Sequence, residues 1–344
     1  MKLAVTGGAG FLGYNLCKRL FREFDEIFVI DIAPIHPGEY PENTRYFNID
    51  VRDFEALNKI LAETDMVVHA AAGMPLWEKQ DMWSTNVQGT KNVLESARRN
   101  RLKRVVFLSS ISIYGIPQKY PIEENHPLLS QWSYGKSKIQ AEKLCEEYRR
   151  QGFCISILRP TTFIGTARLG IFQVLYDWIK SGKRIPMIGN GRNRYQLLEV
   201  DDFVDAIYLT LTLPELQVND TFNMGGERFK TVREDLSVMC AFARTGARPM
   251  PTPYWLVAPM LEIYWKMGIS PFYRWAYQMA ARDVFMSIEK AKRKLGWSPK
   301  YSNAEALIRS YQWYVEHLDE IRTEGITHRT AYRQGILAFF KRFL

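Results

Sequence analysis

Residues 1–16, MKLAVTGGAGFLGYNL, place four glycines within seven positions, directly after an apolar run and directly before a helical pattern. Glycine costs backbone entropy on folding, so such a density needs a reason. The order strand, Gly8-Ala9-Gly10-Phe11-Leu12-Gly13, helix satisfies the dinucleotide-binding pattern, and the stretch also reads as Gly7-x-x-Gly10-x-x-Gly13. In that pattern one glycine permits the tight turn, a second lets a pyrophosphate approach the backbone, and a third lets helix pack on strand. Gly7, Gly10, Phe11, Leu12 and Gly13 are therefore candidate cofactor contacts. The next apolar run ends FVID and puts Asp31 eighteen residues beyond Gly13. A carboxylate there accepts hydrogen bonds from an adenosine ribose, and since no Arg follows it immediately, NAD is expected rather than NADP.

Outward from this stretch, KLAVTG, EIFVID, MVVHAAA, RVVFLSS and CISILRP read as buried strands with amphipathic helical segments between them. Alternation of β and α implies a parallel sheet covered on both faces, joined by right-handed crossovers. The expected fold class is α/β, a Rossmann-type doubly wound parallel sheet with a smaller C-terminal substrate-binding region. Residues 1–170 are expected to form the NAD-binding domain, 171–320 the substrate-binding region, and 326–344 a basic amphipathic tail. The boundary at 170 is soft, because VNDTFNMGG can return to the main sheet.

Hydrophobic residues make up 47% of the 344, which excludes a mostly disordered chain. The net charge is +9, but basic residues alternate with acidic ones on helical segments such as AEKLCEEYRRQG. Without a basic stripe interleaved with aromatics, nucleic acid is not an expected partner. Attraction to anionic substrates or to a membrane surface stays open. Cys17, Cys145, Cys154 and Cys240 lie far apart with no metal-ligand spacing, so no metal is expected and a reducing, cytoplasmic compartment is. Lys2 and a few apolar residues before the glycines do not read as a signal peptide. The apolar stretch PYWLVAPMLEIYWKMG is interrupted by Pro253, Pro259, Glu262 and Lys266 and does not read as a membrane span.

FLSSISIYG at a strand end and YGKSK at a helix start bring in chemistry. Tyr134 and Lys138 are four apart and share one helical face. A phenol of pKa ~10 is a poor base at neutral pH. A neighbouring ammonium and a positively charged nicotinamide favour the phenolate, so Tyr134 can take a proton from a substrate hydroxyl that Ser110 holds from the other side. A Tyr-x-x-x-Lys pair alone is weak. Its order after the glycine loop, the acid and the serine makes it specific.

Taken with TGGAGFLG, DVRD, HAAA, NVQGTKNVLESA, SSISIYG, YGKSK, LRPTTFIG, VDDFVDAI and KAKRKLGWSPKYS, the chain resembles an extended short-chain dehydrogenase/reductase of the NAD-dependent epimerase/dehydratase family. The resemblance implies an NAD-dependent enzyme in which Ser110, Tyr134 and Lys138 are catalytic and Lys138 also reaches the nicotinamide ribose. It further implies that Asp50 and Val51 contact the adenine, that Ala70, Ala71 and Ala72 line the cofactor, and that Asn86 supports the active-site end of the sheet. His69 is read as structural, and a homodimer is expected.

Within this family, dehydratases usually carry an acid beside the catalytic Ser or Thr, whereas Ile111 and Ser112 follow Ser110 here, which disfavours dehydration. Nucleotide-sugar epimerases usually have an Asn where this chain has Thr162, and diphosphate-binding arginines where it has Tyr195 and Ala280, although Arg192, Arg194 and Arg282 lie close by. Ser112, Thr162, Arg194 and Tyr195 are the candidate substrate contacts. The last third resembles 3β-hydroxysteroid and sterol dehydrogenases and polyprenyl-linked sugar epimerases, its aromatics also reading as a buried helical lid or dimer contact. In the tail, Tyr332, Ile336, Phe339, Phe340 and Phe343 share a helical face opposite Gln334, Lys341 and Arg342. Such a helix suits either an anionic bilayer interface, giving peripheral membrane contact, or docking on its own domain or a partner subunit. The expected activity is oxidation of a ring secondary alcohol, on a small molecule or a lipid-linked sugar, by hydride transfer to NAD. A soluble UDP-sugar 4-epimerase, a 3β-hydroxysteroid or sterol dehydrogenase, and a non-catalytic NAD-binding protein are the alternatives.

Overall fold

A computed structural model describes residues 1–321 except 37, 269 and 271, together with 327–331, 337 and 341. The strands are β1 (Lys2–Thr6), β2 (Glu26–Asp31), β3 (Thr44–Asn48), β4 (Met66–His69), β5 (Arg104–Leu108), β6 (Ile155–Pro160), β7 (Thr162–Ile164), β8 (Arg184–Ile188), β9 (Leu197–Glu199), β10 (Thr221–Met224) and β11 (Arg248–Thr252). Seven of them form a sheet in the order β10-β6-β5-β4-β1-β2-β3, and all its pairings are parallel. Val5 sits in register with Val29 on one side and Val68 on the other. The five apolar runs are five of these strands, buried on both faces because helices cover the sheet on each side. Strand order reverses about β1, and all the loops discussed below leave the carboxyl ends of the strands.

The chain divides into two compact units. The first comprises residues 1–161, 200–224 and 286–298, and the second comprises 162–199, 225–285 and 299–344. The units interleave along the chain: the soft division expected near residue 170 gives way where VNDTFNMGG returns to the main sheet as β10. The reason lies in the ladder: β6 needs a partner on its outer edge, and β10 supplies it, with Thr221 opposite Ile157 and the Thr161 N–H donating to the Met224 carbonyl at 2.8 Å. The first unit's core gathers Phe28, Leu57, Val67, Phe107 and Ile157.

The second unit has its own core around Ile164, Tyr176, Trp178, Leu197, Met239 and Tyr311. Two short parallel pairs, β7 with β9 and β8 with β11, and several helices build it. Its helices Val232–Ala243 and Asn303–Glu316 both begin with capping boxes, Thr231 with Glu234 and Ser302 with Glu305. The Tyr254–Lys266 helix is the core of the aromatic-rich stretch, and its outward residues are solvent-exposed rather than buried as a lid would be. Of the tail face, Tyr332, Gln334, Ile336, Phe339, Phe340, Arg342 and Phe343 lie outside the described residues. Leu337 packs against the second unit's core, and the Lys341 ammonium pairs with Asp177 at 2.7 Å. Among the described residues no helix is long and apolar enough to cross a membrane.

Candidate functional site

After β1 the chain turns at Gly7, whose φ of +71° is in the left-handed region. A Cβ there would sit 2.6 Å from the Ala71 nitrogen, and one at Gly13 would sit 2.4 Å from the Gly8 Cα. Side chains at these positions would collide with backbone, so glycine is what lets the turn pack on the loop after β4 and the helix start pack on the turn. Gly10 caps the Phe11–Leu20 helix without a side-chain cap, so only backbone faces a ligand at that helix N-terminus. The Asp31 carboxylate at the end of β2 accepts from the Ala9 N–H at 3.0 Å and the Ala33 N–H at 2.9 Å. These bonds aim it back at the glycine turn, while burial pushes its carboxyl above the ordinary value. An open backbone cradle at a helix N-terminus beside a fixed carboxylate fits a dinucleotide, with pyrophosphate on the glycines and ribose on Asp31.

After β3, Asp50 accepts from the Arg52 guanidinium at 3.0 Å and 2.6 Å, and Arg52 reaches on to Asp81 and Ser84. Burial pulls the Asp50 carboxyl up, but its hydrogen bonds from Arg52 outweigh that and hold it below the ordinary value. The Asn92 amide donates to the carbonyls of Val51 at 3.0 Å and Arg52 at 2.9 Å, which sets the turn that presents Asp50 and Val51.

After β4, the Ala70 N–H donates to the Thr6 carbonyl and the Ala71 N–H to the Thr6 hydroxyl, at 3.0 Å and 3.3 Å, so Ala70, Ala71 and Ala72 are laid against the glycine turn. His69 is fully enclosed. The Thr90 hydroxyl donates to the Asn86 carbonyl at 2.7 Å, so it receives the His69 Nε2 proton at 3.0 Å, and the Thr6 hydroxyl donates to Nδ1 at 2.7 Å. Burial, with the Lys138 charge adding to it, pulls the imidazole down to about 3, a neutral ring with both nitrogens satisfied. That is a structural histidine.

Asn86 lies in a π-helical stretch, Ser84–Gly89, and is buried. It accepts from the Gly73 N–H at 2.8 Å and donates to the Ser137 hydroxyl at 2.9 Å, and Ser137 donates to the Tyr134 carbonyl at 2.7 Å. One side chain thus ties the loop after β4 to the first turn of the Ser133–Arg150 helix. The same helix is locked to β6 by a buried ion pair, Glu142 with Arg159 at 2.6 Å, and Arg159 also donates to the Tyr114 hydroxyl at 2.8 Å.

Tyr134 is the second residue of that helix, half-buried, and Lys138 is one turn on. The Lys138 ammonium is 3% exposed and donates to the Leu108 carbonyl at 2.8 Å, two residues before Ser110. Burial pulls it down to about 8. Ser110 caps the short Ile111–Tyr114 turn, its hydroxyl accepting from the Ser112 N–H at 3.2 Å. The Ser112 hydroxyl is buried without a hydrogen-bond partner among the described residues. Gly135 closes the arrangement, since a Cβ on it would meet the Ser130 hydroxyl at 2.0 Å and the Ser112 carbonyl at 2.6 Å. Only a glycine lets the helix start pack on the turn after Ser110.

The first unit therefore gathers Ser110, Tyr134, Lys138 and every candidate cofactor residue at the carboxyl end of one sheet. Thr162, Arg194 and Tyr195 belong to the second unit. There the Thr162 and Tyr195 hydroxyls bond each other at 2.9 Å, and burial pushes the Tyr195 phenol up. Arg194 pairs with Asp283 at 3.0 Å and lies 4.1 Å over the Phe285 ring. Sequence reasoning missed Thr6, Asn92, Gly135 and Ser137 as positioning residues. All four sit inside stretches it had singled out, LAVTGG, NVQGTKNVLESA and YGKSK, but their partners are 40 to 65 positions away or on another element.

Comparison with known proteins places this geometry. The model of the NAD dependent epimerase/dehydratase family matches residues 3–225. A UDP-glucose 4-epimerase of Halalkalibacterium halodurans is 27% identical, with 94% of this chain and 99% of that protein aligned. An N-acetyl-alpha-D-glucosaminyl-diphospho-ditrans,octacis-undecaprenol 4-epimerase of Escherichia coli O157:H7 is 35% identical over 213 residues, 59% of this chain and 61% of that protein. In fold the chain is similar to a UDP-glucose 4-epimerase of Thermotoga maritima solved with UDP-glucose, at a TM-score of 0.78 and 23% identity over 92% of this chain and all of that one.

Proposed function

The chain belongs to the NAD-dependent epimerase/dehydratase family and is an NAD-using enzyme, and from that premise we propose that it inverts a secondary alcohol on the ring of a sugar carried by a lipid or similarly hydrophobic group. The observation that carries the chemistry is Lys138, a buried ammonium one turn after Tyr134 and fixed to the carbonyl two residues before Ser110. Tyr134 takes the proton from the substrate hydroxyl, because the adjacent ammonium favours phenolate over phenol. Ser110 donates to the same substrate oxygen and fixes its direction, and the unpartnered Ser112 hydroxyl stands ready for a neighbouring polar group. Gly7, Gly10 and Gly13 hold the cofactor's pyrophosphate, and Asp31 its adenosine ribose. NAD held there would supply the hydride acceptor and, for the opposite face of the ring carbon, the hydride donor. Tyr134 then returns the proton to the same oxygen, restoring the hydroxyl.

The substrate class is supported by the Thr162–Tyr195 pair. These two neutral hydroxyls are spent on each other where a nucleotide diphosphate would want a cation. A soluble UDP-sugar is the second reading. It is favoured by the full-length likeness to a UDP-glucose 4-epimerase and by Arg194 beside Tyr195.

The test offers the enzyme undecaprenyl-diphosphate N-acetylglucosamine and UDP-N-acetylglucosamine separately and reads the epimer by NMR. Faster turnover of the lipid-linked sugar is expected, and preference for the UDP-sugar overturns the carrier assignment. On whichever substrate turns over, Tyr134→Phe should lower kcat by about 100-fold or more while still binding NAD. Activity within tenfold of the wild type removes Tyr134 from the chemistry.

A further inference from the structure

An amphipathic helix normally turns its apolar stripe to the core. The Tyr254–Lys266 helix does the reverse along one side. Trp255 is 76% exposed, and Leu256, Ile263 and the following Met267 are each more than half exposed. Pro259 and Lys266 are exposed on the same side, and at 3.6 residues per turn these six positions fall within an arc of about 120°. Leu261, opposite, is buried. The helix has one acid, Glu262, which flanks the stripe beside Trp255 and is paired: it accepts from the Tyr277 hydroxyl at 2.6 Å and the Arg274 guanidinium at 3.1 Å. The exposed stripe is thus apolar, edged by an indole and a lysine, and the one carboxylate at its border is neutralised by Arg274.

The charge of the molecule is distributed to match. The second unit holds 21 basic against 12 acidic residues, which is the whole net charge of +9, whereas the first unit holds 25 of each. We propose that this face of the Tyr254–Lys266 helix is a docking surface for an anionic lipid bilayer. Trp255, Leu256, Ile263 and Met267 enter the headgroup boundary while Lys266 faces anionic headgroups, and the net positive charge of the unit draws it toward an anionic surface. Indole at the boundary and cations against the headgroups are the physical requirements of an interfacial helix. A neutral protein partner would leave the unit's positive charge unused, and an exposed indole among aliphatic side chains suits a headgroup boundary better than an acidic protein surface. The inference is independent of which sugar the enzyme turns over.

The experiment is vesicle flotation of the full chain, comparing phosphatidylcholine vesicles with phosphatidylcholine vesicles containing phosphatidylglycerol, at low and high salt. The chain should float with the anionic vesicles, less so at high salt. The double substitution Trp255→Ser with Ile263→Ser should lower partitioning by about tenfold or more without changing Tm or the light-scattering mass. Lys266→Glu, a surface change with no packing cost, should weaken binding to the anionic vesicles alone. Absence of wild-type flotation, or flotation of the double variant equal to wild type, overturns the proposal. So does a fall in light-scattering mass in the double variant, which would make the face a contact between copies of the chain.

Discussion

Lys138 shows what burying the ammonium proposed for the chemistry costs. Its ammonium sits at about 8 in the folded chain against 10.5 in the unfolded one, because burial disfavours the charge. Between those two pH values the unfolded chain binds the extra proton, so stability rises with pH across that window, and below it the full cost is present. Lys138→Met removes the buried charge but leaves the Leu108 carbonyl without its donor. The first effect is the larger, so the variant should be more stable than wild type at pH 7 by about 1 kcal/mol, a gap that narrows toward pH 10. Urea unfolding at the two pH values reads this directly, and turnover should be lost in the same protein. A variant less stable than wild type at pH 7 would mean that Lys138 is there for packing. His69, by contrast, is neutral and satisfied on both nitrogens, the mark of a residue that holds strands and helix together.

At the scale of elements, the site depends on how the Ser133–Arg150 helix begins. Gly135 would ordinarily weaken a helix, and Ala there should gain about 1 kcal/mol of intrinsic propensity. The added Cβ would instead press on the Ser130 hydroxyl and on the backbone carbonyl of Ser112, which cannot swing away. Overpacking of this kind costs about 1–3 kcal/mol. Gly135→Ala should therefore be destabilised by about 1 kcal/mol, read as a lower urea midpoint, and its kcat should fall because Tyr134 is pushed from the turn that carries Ser110. A midpoint equal to or above wild type would show that the turn yields. Asn86 acts from the other side, through Ser137, so the helix start is gripped by two neighbours at once.

For the molecule as a whole, the interleaving of the two units is the governing fact. A fragment ending at residue 170 would contain Ser110, Tyr134 and Lys138, yet it would lack β10, the outer partner of β6, and the Val200–Thr212 helix of the same unit. An exposed edge and an uncovered sheet face should leave it without a cooperative unfolding transition. Circular dichroism of the fragment against denaturant checks this. A sharp two-state transition would mean that residues 1–170 are self-sufficient. The charge is partitioned by unit in the same way, a neutral cofactor half and a basic second half, and that partition is invisible while the units are strung together in one sequence.

Local order was legible in the sequence. The glycine turn, Asp31 at the end of the second strand, the five apolar runs and Tyr134 with Lys138 one turn apart on a helix could all be named in advance. Each depends on residues within one strand–turn–helix step, where backbone conformation and residue spacing are enough. Tertiary structure decided what depends on residues far apart in the chain. Asn92 reaching Val51, Thr6 and Thr90 bracketing His69, and Thr162 meeting Tyr195 join positions 21 to 63 residues apart. The direction in which the Tyr254–Lys266 helix turns its apolar stripe belongs with them. Hydrophobic periodicity shows that a helix has two faces, but only the packed molecule decides which of them meets water.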